Sequence, residues 1–459
     1  MTTPADPRAL LRSRDYLRLL AIAAVLGVPV SATGYGFLAL VSYLQQQLFT
    51  HLPHGLGFAA EPAWWPLPLL AGGGVLAALA IGYLPGHGGA LPSVNGFKLH
   101  GAPTPAQLPG VVLAALATLI FGAVLGPEMP LIALGGGLAL LAVRLSRRDV
   151  PDQAAAVVAA AGSFAAISTL LGSPLIGAFL MMETAGLGGP MLGLVLMPGL
   201  LAAGIGSLIF TGLDAWSGLG TFSLAIPGLP HAGNPTVGEF GWAIVIGLAA
   251  AGAGLAIRWL GGRLQAYAER WQRWRLLLTP AAGLAVAGLA IAYAEGTGKG
   301  SSDVLFSGQS ALGPFVDHAA QYTVGALLLL LVCKGLAYGV SLGSFRGGPI
   351  FPALFAGAAG GVALSHLPGL PLVAGVAMGL GAMCAVMMAL PLTSVLLAAV
   401  LLGSDGVAVT PLVIVAVVVA HLTAARLAPA PKPAAAPAGG APPVPVASAG
   451  PAAAPTRHA

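Results

Sequence analysis

FGAVLGPEMPLIALGGG, residues 121–137, sets a carboxylate, Glu128, between Pro127 and Pro130 in a run otherwise built of apolar residues and glycine. Proline fits the first turn of a helix, where its missing N–H costs nothing. A GP-x-x-P element followed by an apolar run therefore reads as a broken backbone that restarts as a helix. The free N–H groups at such a start carry partial positive charge and form an anion site. A glutamate placed there is a tethered anion: it can occupy the site of a mobile competitor, and protonation or an incoming anion can displace it. That is a gate. The alternative is a capping carboxylate, although Ser or Thr would cap at lower cost, and ionisable groups in hydrocarbon are usually functional.

The surrounding chain fixes the setting as a membrane. Its 459 residues are 57% hydrophobic and only 7% charged, with mean hydropathy +0.91, whereas a water-soluble domain is about 25% charged. A helix needs about 20 apolar residues to cross the hydrocarbon. Full or nearly full spans are expected near 15–49, 65–84, 106–124, 152–171, 189–211, 237–258, 276–294, 322–342 and 408–427. Shorter pieces broken by Gly and Pro are expected near 88–99, 127–143, 173–185, 349–364, 370–388 and 390–404. The fold class is an all-α polytopic membrane protein.

The net charge of +5 and pI near 9.4 come from basic residues scattered at span ends, which make no nucleic-acid patch. Arg8, Arg12, Arg14 and Arg18 precede the first span, and Arg258, Arg263, Arg270, Arg273 and Arg275 are expected to fill a loop; the positive-inside bias puts both regions, and the N-terminus, in the cytoplasm of a cell-membrane protein. The side occupied by Arg144, Arg147 and Arg148 stays open. No small-residue cleavage site follows a short apolar core, so no signal peptide is expected. Cys333 and Cys384 lie within apolar runs and suggest neither a disulfide nor a metal site. After Arg426 the chain turns into an Ala/Pro/Gly tail that cannot build a core. The expected organisation is a cytoplasmic segment at 1–14, a membrane domain at 15–427 and a disordered tail at 428–459.

An internal repeat joins these pieces. GPEMPLIALGGG at 126–137 is echoed by GPIFPALFAGAAGG at 348–361, offset by 222 residues, and GSPLIGAFLMME at 172–183 by ALPLTSVLLAAV at 389–400, offset by 217. Paired, Gly/Pro-interrupted hydrophobic segments point to inverted halves, here roughly 15–211 and 237–427, with a site between them.

With these motifs in place the sequence resembles the CLC family of chloride channels and proton/chloride antiporters. GPEMP is similar to the family's GREGP element, which implies that Glu128 is the gating glutamate. GGPIFP, Gly347 to Pro352, resembles GGIFAP; GGALP, Gly88 to Pro92, resembles GSGIP; and SPLIGAFLMMET, Ser173 to Thr184, resembles NAPLAGILFIIEE. The motifs occur in family order over roughly 15–427. The resemblance implies a homodimer with one pore per subunit, made of tilted and re-entrant helices. It implies an anion held near Gly88, Gly89, Ala90, Gly348, Ile350 and Phe351.

Several departures bear on function. Gly89 stands where the family usually offers a serine hydroxyl, and Pro127 replaces the arginine before the gating glutamate. In the gapless alignment Pro349 falls where the family has an N–H donor, which proline lacks; a shift by one residue restores Ile350 and Phe351. The family's last helix, with its anion-coordinating tyrosine, is missing where the Ala/Pro tail begins. The internal proton-transfer glutamate of antiporters is replaced by Thr184, with Glu183 beside it as a possible proton path.

The reading is chloride transport, leaning to passive conduction with weak or no proton coupling. The alternatives are proton/chloride antiport, transport of another small anion such as fluoride or nitrate, and a non-conducting scaffold. No nucleophile, base and orienter set suggests an enzyme, and no cofactor is expected. His87 reads as a loop or helix-start residue with a proton relay as the alternative, Met181 and Met182 as packing, Asp405 as a loop or cap residue, and Lys334 as either a field source near the pore or a snorkelling side chain.

Overall fold

The computed structural model describes residues 12–98, 101–146, 152–185, 190–217, 226, 233 and 235–428. Most of the 1–14 segment, Arg147 and Arg148, and nearly all of the 428–459 tail lie outside the described residues. Within them the chain is helical. α1 (Arg14–Gln46) and α2 (Pro66–Tyr83) lead to α3 (Leu108–Leu119), α4 (Glu128–Ser146), α5 (Asp152–Leu170), α6 (Pro174–Ala185) and α7 (Pro190–Ser217). The second half holds α8 (Val237–Arg270), α9 (Arg275–Thr297), the short α10 (Leu312–Asp317), α11 (Val324–Ser344), α12 (Ile350–Ser365), α13 (Leu372–Met388), α14 (Pro391–Leu401) and α15 (Gly406–Leu427). Eight helical segments among the described residues are long and apolar enough to span a membrane.

The halves repeat in detail. α4 crosses α5 where a Cβ on Gly135 would meet the Gly162 carbonyl at 2.5 Å. α12 crosses α13 at Gly357 against Gly379 and at Gly361 against Gly375, so small residues let both pairs approach backbone to backbone. α6 and α14 each begin with proline, preceded two residues earlier by a left-handed residue: Gly172 at φ +63° and Ala389 at φ +57°. At the centre the restart loops pair antiparallel. Gly126 N–H donates to Gly348 O at 2.8 Å and Gly348 N–H to Gly126 O at 2.6 Å. The partners are the residues related by the 222-residue offset.

Three expectations need correction. The 88–99 stretch is not a helix. Gly86, Gly88, Gly89 and Gly96 all take positive φ, a conformation no α-helix contains, and side chains of α8 replace the missing helical bonds. Arg258 donates to Val94 O at 2.6 Å and to Val386 O at 2.9 Å, and Gln265 donates to Pro92 O at 2.7 Å. Second, 106–124 is no full span: α3 has 12 residues, because the chain turns at Gly122, φ +99°, before GPEMP restarts it as the 19-residue α4. Third, Arg258, Arg263 and Arg270 belong to α8, which runs 34 residues. Its end is interfacial: the Arg263 guanidinium lies 5.3 Å from the Trp259 ring, and that of Arg273 5.3 Å from Trp271, the aromatic and basic pairing of a membrane boundary.

Candidate functional site: a carboxylate between two restart loops

Glu128 begins α4 and is completely buried. Its carboxylate folds back over the loop pair and is met from the other half by the start of α12. Phe351 N–H donates to Oε1 at 2.8 Å, and the amides of Ile350 and of Glu128 itself also face the carboxylate, while Oε2 has no partner. Pro349 is the N-cap of α12, so the free amides begin at Ile350. The carboxylate fits only because two neighbours lack side chains. A Cβ on Gly126 would lie 2.5 Å from Glu128 Cδ, and one on Gly348 would lie 2.7 Å from it, far inside the ordinary contact distance of about 3.5–4.0 Å.

Each loop is fixed by a hydroxyl from the opposite half. Ser341 Oγ on α11 accepts from Val124 N–H at 3.0 Å, and Thr118 Oγ1 on α3 accepts from Arg346 N–H at 3.2 Å. Both hydroxyls are fully buried, and they stand at nearly the repeat offset from one another. Tyr338 adds its hydroxyl to Pro349 O at 2.7 Å. Sequence reasoning missed these positioning residues; a Ser or Thr recurring at the repeat offset was the available signal.

The remaining predicted residues lie in different surroundings. Gly348 spends its N–H on Gly126. Gly88 and Gly89 sit in a turn in which Gly89 N–H donates to Gly86 O at 2.8 Å, so no helix start is aimed from there. With Ala90 they line a cavity of about 250 Å³ that also touches Met129, Gly347 and Arg346. Glu183 caps α14: its carboxylate accepts from Leu392 N–H at 3.0 Å, Thr393 N–H at 2.9 Å and Thr393 Oγ1 at 2.7 Å. Thr184 turns its hydroxyl back to Leu180 O and to Met181 O. Both side chains are therefore occupied away from Glu128.

Lys334 neither snorkels nor faces Glu128. It is buried, with Nζ donating to Asp303 O at 2.9 Å and to Val304 O and Leu305 O at 3.1 Å, and it lies 4.3 Å from the centre of the Phe355 ring. His87 is a turn residue with positive φ, and Cys333 and Cys384 are unbridged.

Known proteins share both sequence and fold with this chain. The family model for the voltage gated chloride channel matches residues 72–425. YfeO of Escherichia coli O1:K1, whose name assigns it to ion transport, is 31% identical over 368 residues, covering 78% of this chain and 82% of the relative; YfeO of Shigella boydii serotype 4 matches equally. Among solved structures, a slow cyanobacterial Cl⁻/H⁺ antiporter superposes with TM-score 0.71 at 19% identity, over 89% of this chain and 95% of that one. A CLC-type fluoride/proton antiporter gives 0.56 at 20% identity, over 88% and 95%, and a eukaryotic CLC transporter 0.65 at 16%, over 90% and 72%. With the family model spanning most of the chain, and the inverted halves meeting at a buried glutamate, this protein belongs to the CLC, or voltage-gated chloride channel, family.

Proposed function

We propose that this protein moves a small monovalent anion, chloride foremost, through one pathway in each subunit of a homodimer in the cell membrane, with the N-terminus cytoplasmic and Glu128 as the gate. One observation carries the reading: the buried Glu128 carboxylate occupies an amide site supplied by the opposite half. That site suits any anion of similar size and charge, so an arriving chloride competes with the carboxylate for it. Protonation removes the negative charge that holds the carboxylate there.

The leaning is to conduction with little or no proton antiport. A relay needs a titratable group free to exchange protons with the gate. Glu183, the carboxylate beside the expected relay position, is committed to the N-terminus of α14, and Thr184 has no titratable group in this range. Proton antiport is the second reading, favoured by the structural neighbours that are a Cl⁻/H⁺ antiporter and a fluoride/proton antiporter. Fluoride or nitrate is the alternative cargo.

Purified protein in liposomes decides between these. Chloride efflux is expected, faster or stripped of its pH dependence in Glu128→Gln and Glu128→Ala. An imposed chloride gradient is expected to drive no uphill proton movement. Absence of anion flux would overturn the transport reading, and robust uphill proton pumping the uncoupled one.

A further inference from the structure

Among the described residues, the end of α8 and the turn into α9 carry three cations that no carboxylate neutralises. From Arg258 to Arg275 the chain holds five arginines and one acid, Glu269. Arg258 is spent inside, on Val94 O and Val386 O, and the charge of Glu269 acts on Arg275. Arg263, Arg270 and Arg273 are exposed, and none of them has an ion-pair partner. Two of them rest on aromatic rings instead: Arg263 lies 5.3 Å from Trp259, and Arg273 lies 5.3 Å from Trp271 and 5.9 Å from Trp274. A guanidinium stacked on a ring keeps its N–H edges free to donate.

The helical period of α8 sorts these residues by side. At about 100° per residue, Trp259, Arg263, Tyr267 and Arg270 fall within about 80° of one another, and Arg258, Gly261 and Gln265 fall on the opposite side. The first group is exposed throughout. The second is fixed to the protein: Gln265 donates to Pro92 O at 2.7 Å and to Leu342 O at 2.9 Å, and a Cβ on Gly261 would lie 3.1 Å from Leu342 Cβ. The length of α8 sets the depth of these turns. Its 34 residues make about 50 Å of helix, more than the hydrocarbon layer of about 30 Å even at a tilt of about 40°. The apolar run ends at Ile257, so the arginine-bearing turns stand at headgroup level. Trp274, Leu276 and Leu277, at the turn and the start of α9, are exposed beside them.

From this geometry we infer that the outer face of the α8–α9 turn is a binding surface for acidic phospholipids. Their phosphates meet Arg263, Arg270 and Arg273, while Trp259, Trp274, Leu276 and Leu277 lie against the upper part of the acyl chains. The mixture of charge and apolar area decides the occupant. A soluble phosphate gains nothing from exposed tryptophan and leucine, and a zwitterionic headgroup offsets its phosphate with its own cation. An acidic lipid satisfies both parts of the surface. The opposite face of the same turns holds Pro92, Val94, Leu342 and Val386, so a lipid bound outside clamps the helix that fixes these segments. None of this depends on the cargo.

Tryptophan quenching by lipids with brominated acyl chains tests the surface on the full-length protein in detergent. Brominated phosphatidylglycerol should quench the wild type at a lower mole fraction than brominated phosphatidylcholine; equal midpoints overturn the inference. Each arginine near the membrane surface contributes about fivefold, so Arg263→Gln/Arg273→Gln should raise the phosphatidylglycerol midpoint about tenfold or more and leave the phosphatidylcholine curve in place. An unchanged midpoint overturns the inference. So does an equal shift in Arg426→Gln, an exposed arginine at the end of α15, which would make the preference a property of any basic span end. Inorganic phosphate at matched ionic strength should not displace the brominated lipid; displacement overturns the assignment to a lipid. Phosphatidylglycerol should raise the melting temperature above that in phosphatidylcholine for the wild type but not for the double variant, and the same rise in both overturns the clamp. Should the double variant fail to fold, each single variant should show its fivefold share, and unchanged midpoints in both overturn the inference.

Discussion

Gly348→Ala should open the gate without touching the gate residue. The added Cβ would lie 2.7 Å from Glu128 Cδ and 2.9 Å from Glu128 Cβ, about 1 Å inside van der Waals contact for both. Backbone yields little here, because Gly348 is paired to Gly126 through both its N–H and its C=O. The side chain must therefore leave, forfeiting the 2.8 Å bond from Phe351 N–H. A hydrogen bond to a charged group contributes about 1.5–3 kcal/mol, so the seated fraction should fall roughly 10- to 150-fold. Chloride efflux from liposomes at pH 7.5 should rise toward that of Glu128→Ala, and the difference between pH 4.5 and pH 7.5 should vanish. The double variant Gly348→Ala/Glu128→Ala should conduct as Glu128→Ala does, since with no carboxylate present the Cβ has nothing to expel. Flux and pH dependence like those of the wild type would refute the reasoning. So would a double variant slower than Glu128→Ala, which would show that the methyl group obstructs the anion itself.

Glu183→Gln should lower stability in detergent by about 1–3 kcal/mol, because the amides of Leu392 and Thr393 lose their charged acceptor, while chloride flux per folded protein is unchanged; a shifted melting temperature with intact efflux is the expected pair. Lys334→Met should sharply reduce folded protein on size-exclusion chromatography, since the carbonyls of Asp303, Val304 and Leu305 are orphaned at about 1–3 kcal/mol each. Glu61 lies in the connection between α1 and α2 and accepts from Ser301 Oγ at 2.8 Å. Burial is the main influence on it and raises its carboxyl above the usual range, partly offset by that hydrogen bond. Its contribution is therefore present below the unfolded-state value, near pH 4.5, and is lost as pH rises through the folded one; Glu61→Gln should flatten that part of the melting-temperature profile.

Much of the centre was legible because the repeat is written in glycine and proline, whose backbone consequences are strong. The 222-residue offset found in the sequence relates the two glycines that pair at the core, and the GP-x-x-P reading places Glu128 at a helix start. The 88–99 stretch was misread because an apolar run was weighed above its glycines. Four positive φ angles there outweigh any helical preference of Ala90, Leu91 and Val94, and the bonds that satisfy the stretch come from Arg258 and Gln265, more than 160 residues away. The length of α8 was underestimated because its arginines were taken for a loop, whereas interfacial side chains let a helix continue past the hydrocarbon. Arg346 went unweighed beside a recognisable motif, although a charge in an apolar run carries the same message there as at Glu128.

On the proposal that Glu128 is the gate, the bonds at the centre favour one opening motion over another. The halves are tied by the reciprocal Gly126–Gly348 pair and by the Ser341 and Thr118 hydroxyls on the loops of the other half. All are buried, so separating the halves would orphan each group at about 1–3 kcal/mol. The glycine crossings of α4 on α5 and of α12 on α13 leave no slack for one helix to slide on its partner. Rotating the Glu128 side chain breaks the 2.8 Å bond from Phe351 and the weaker contacts with the Ile350 and Glu128 amides, and the amides it vacates can be filled at once by an anion. The displaced carboxylate can take water or a proton. Side-chain exchange at a rigid centre is therefore the lower-energy route, and rocking of one half against the other the higher. The carboxylate comes from the first half and the Phe351 amide that donates to it from the second, so, on the proposal that Glu128 gates the pathway, the inverted repeat serves the gate by holding those halves still.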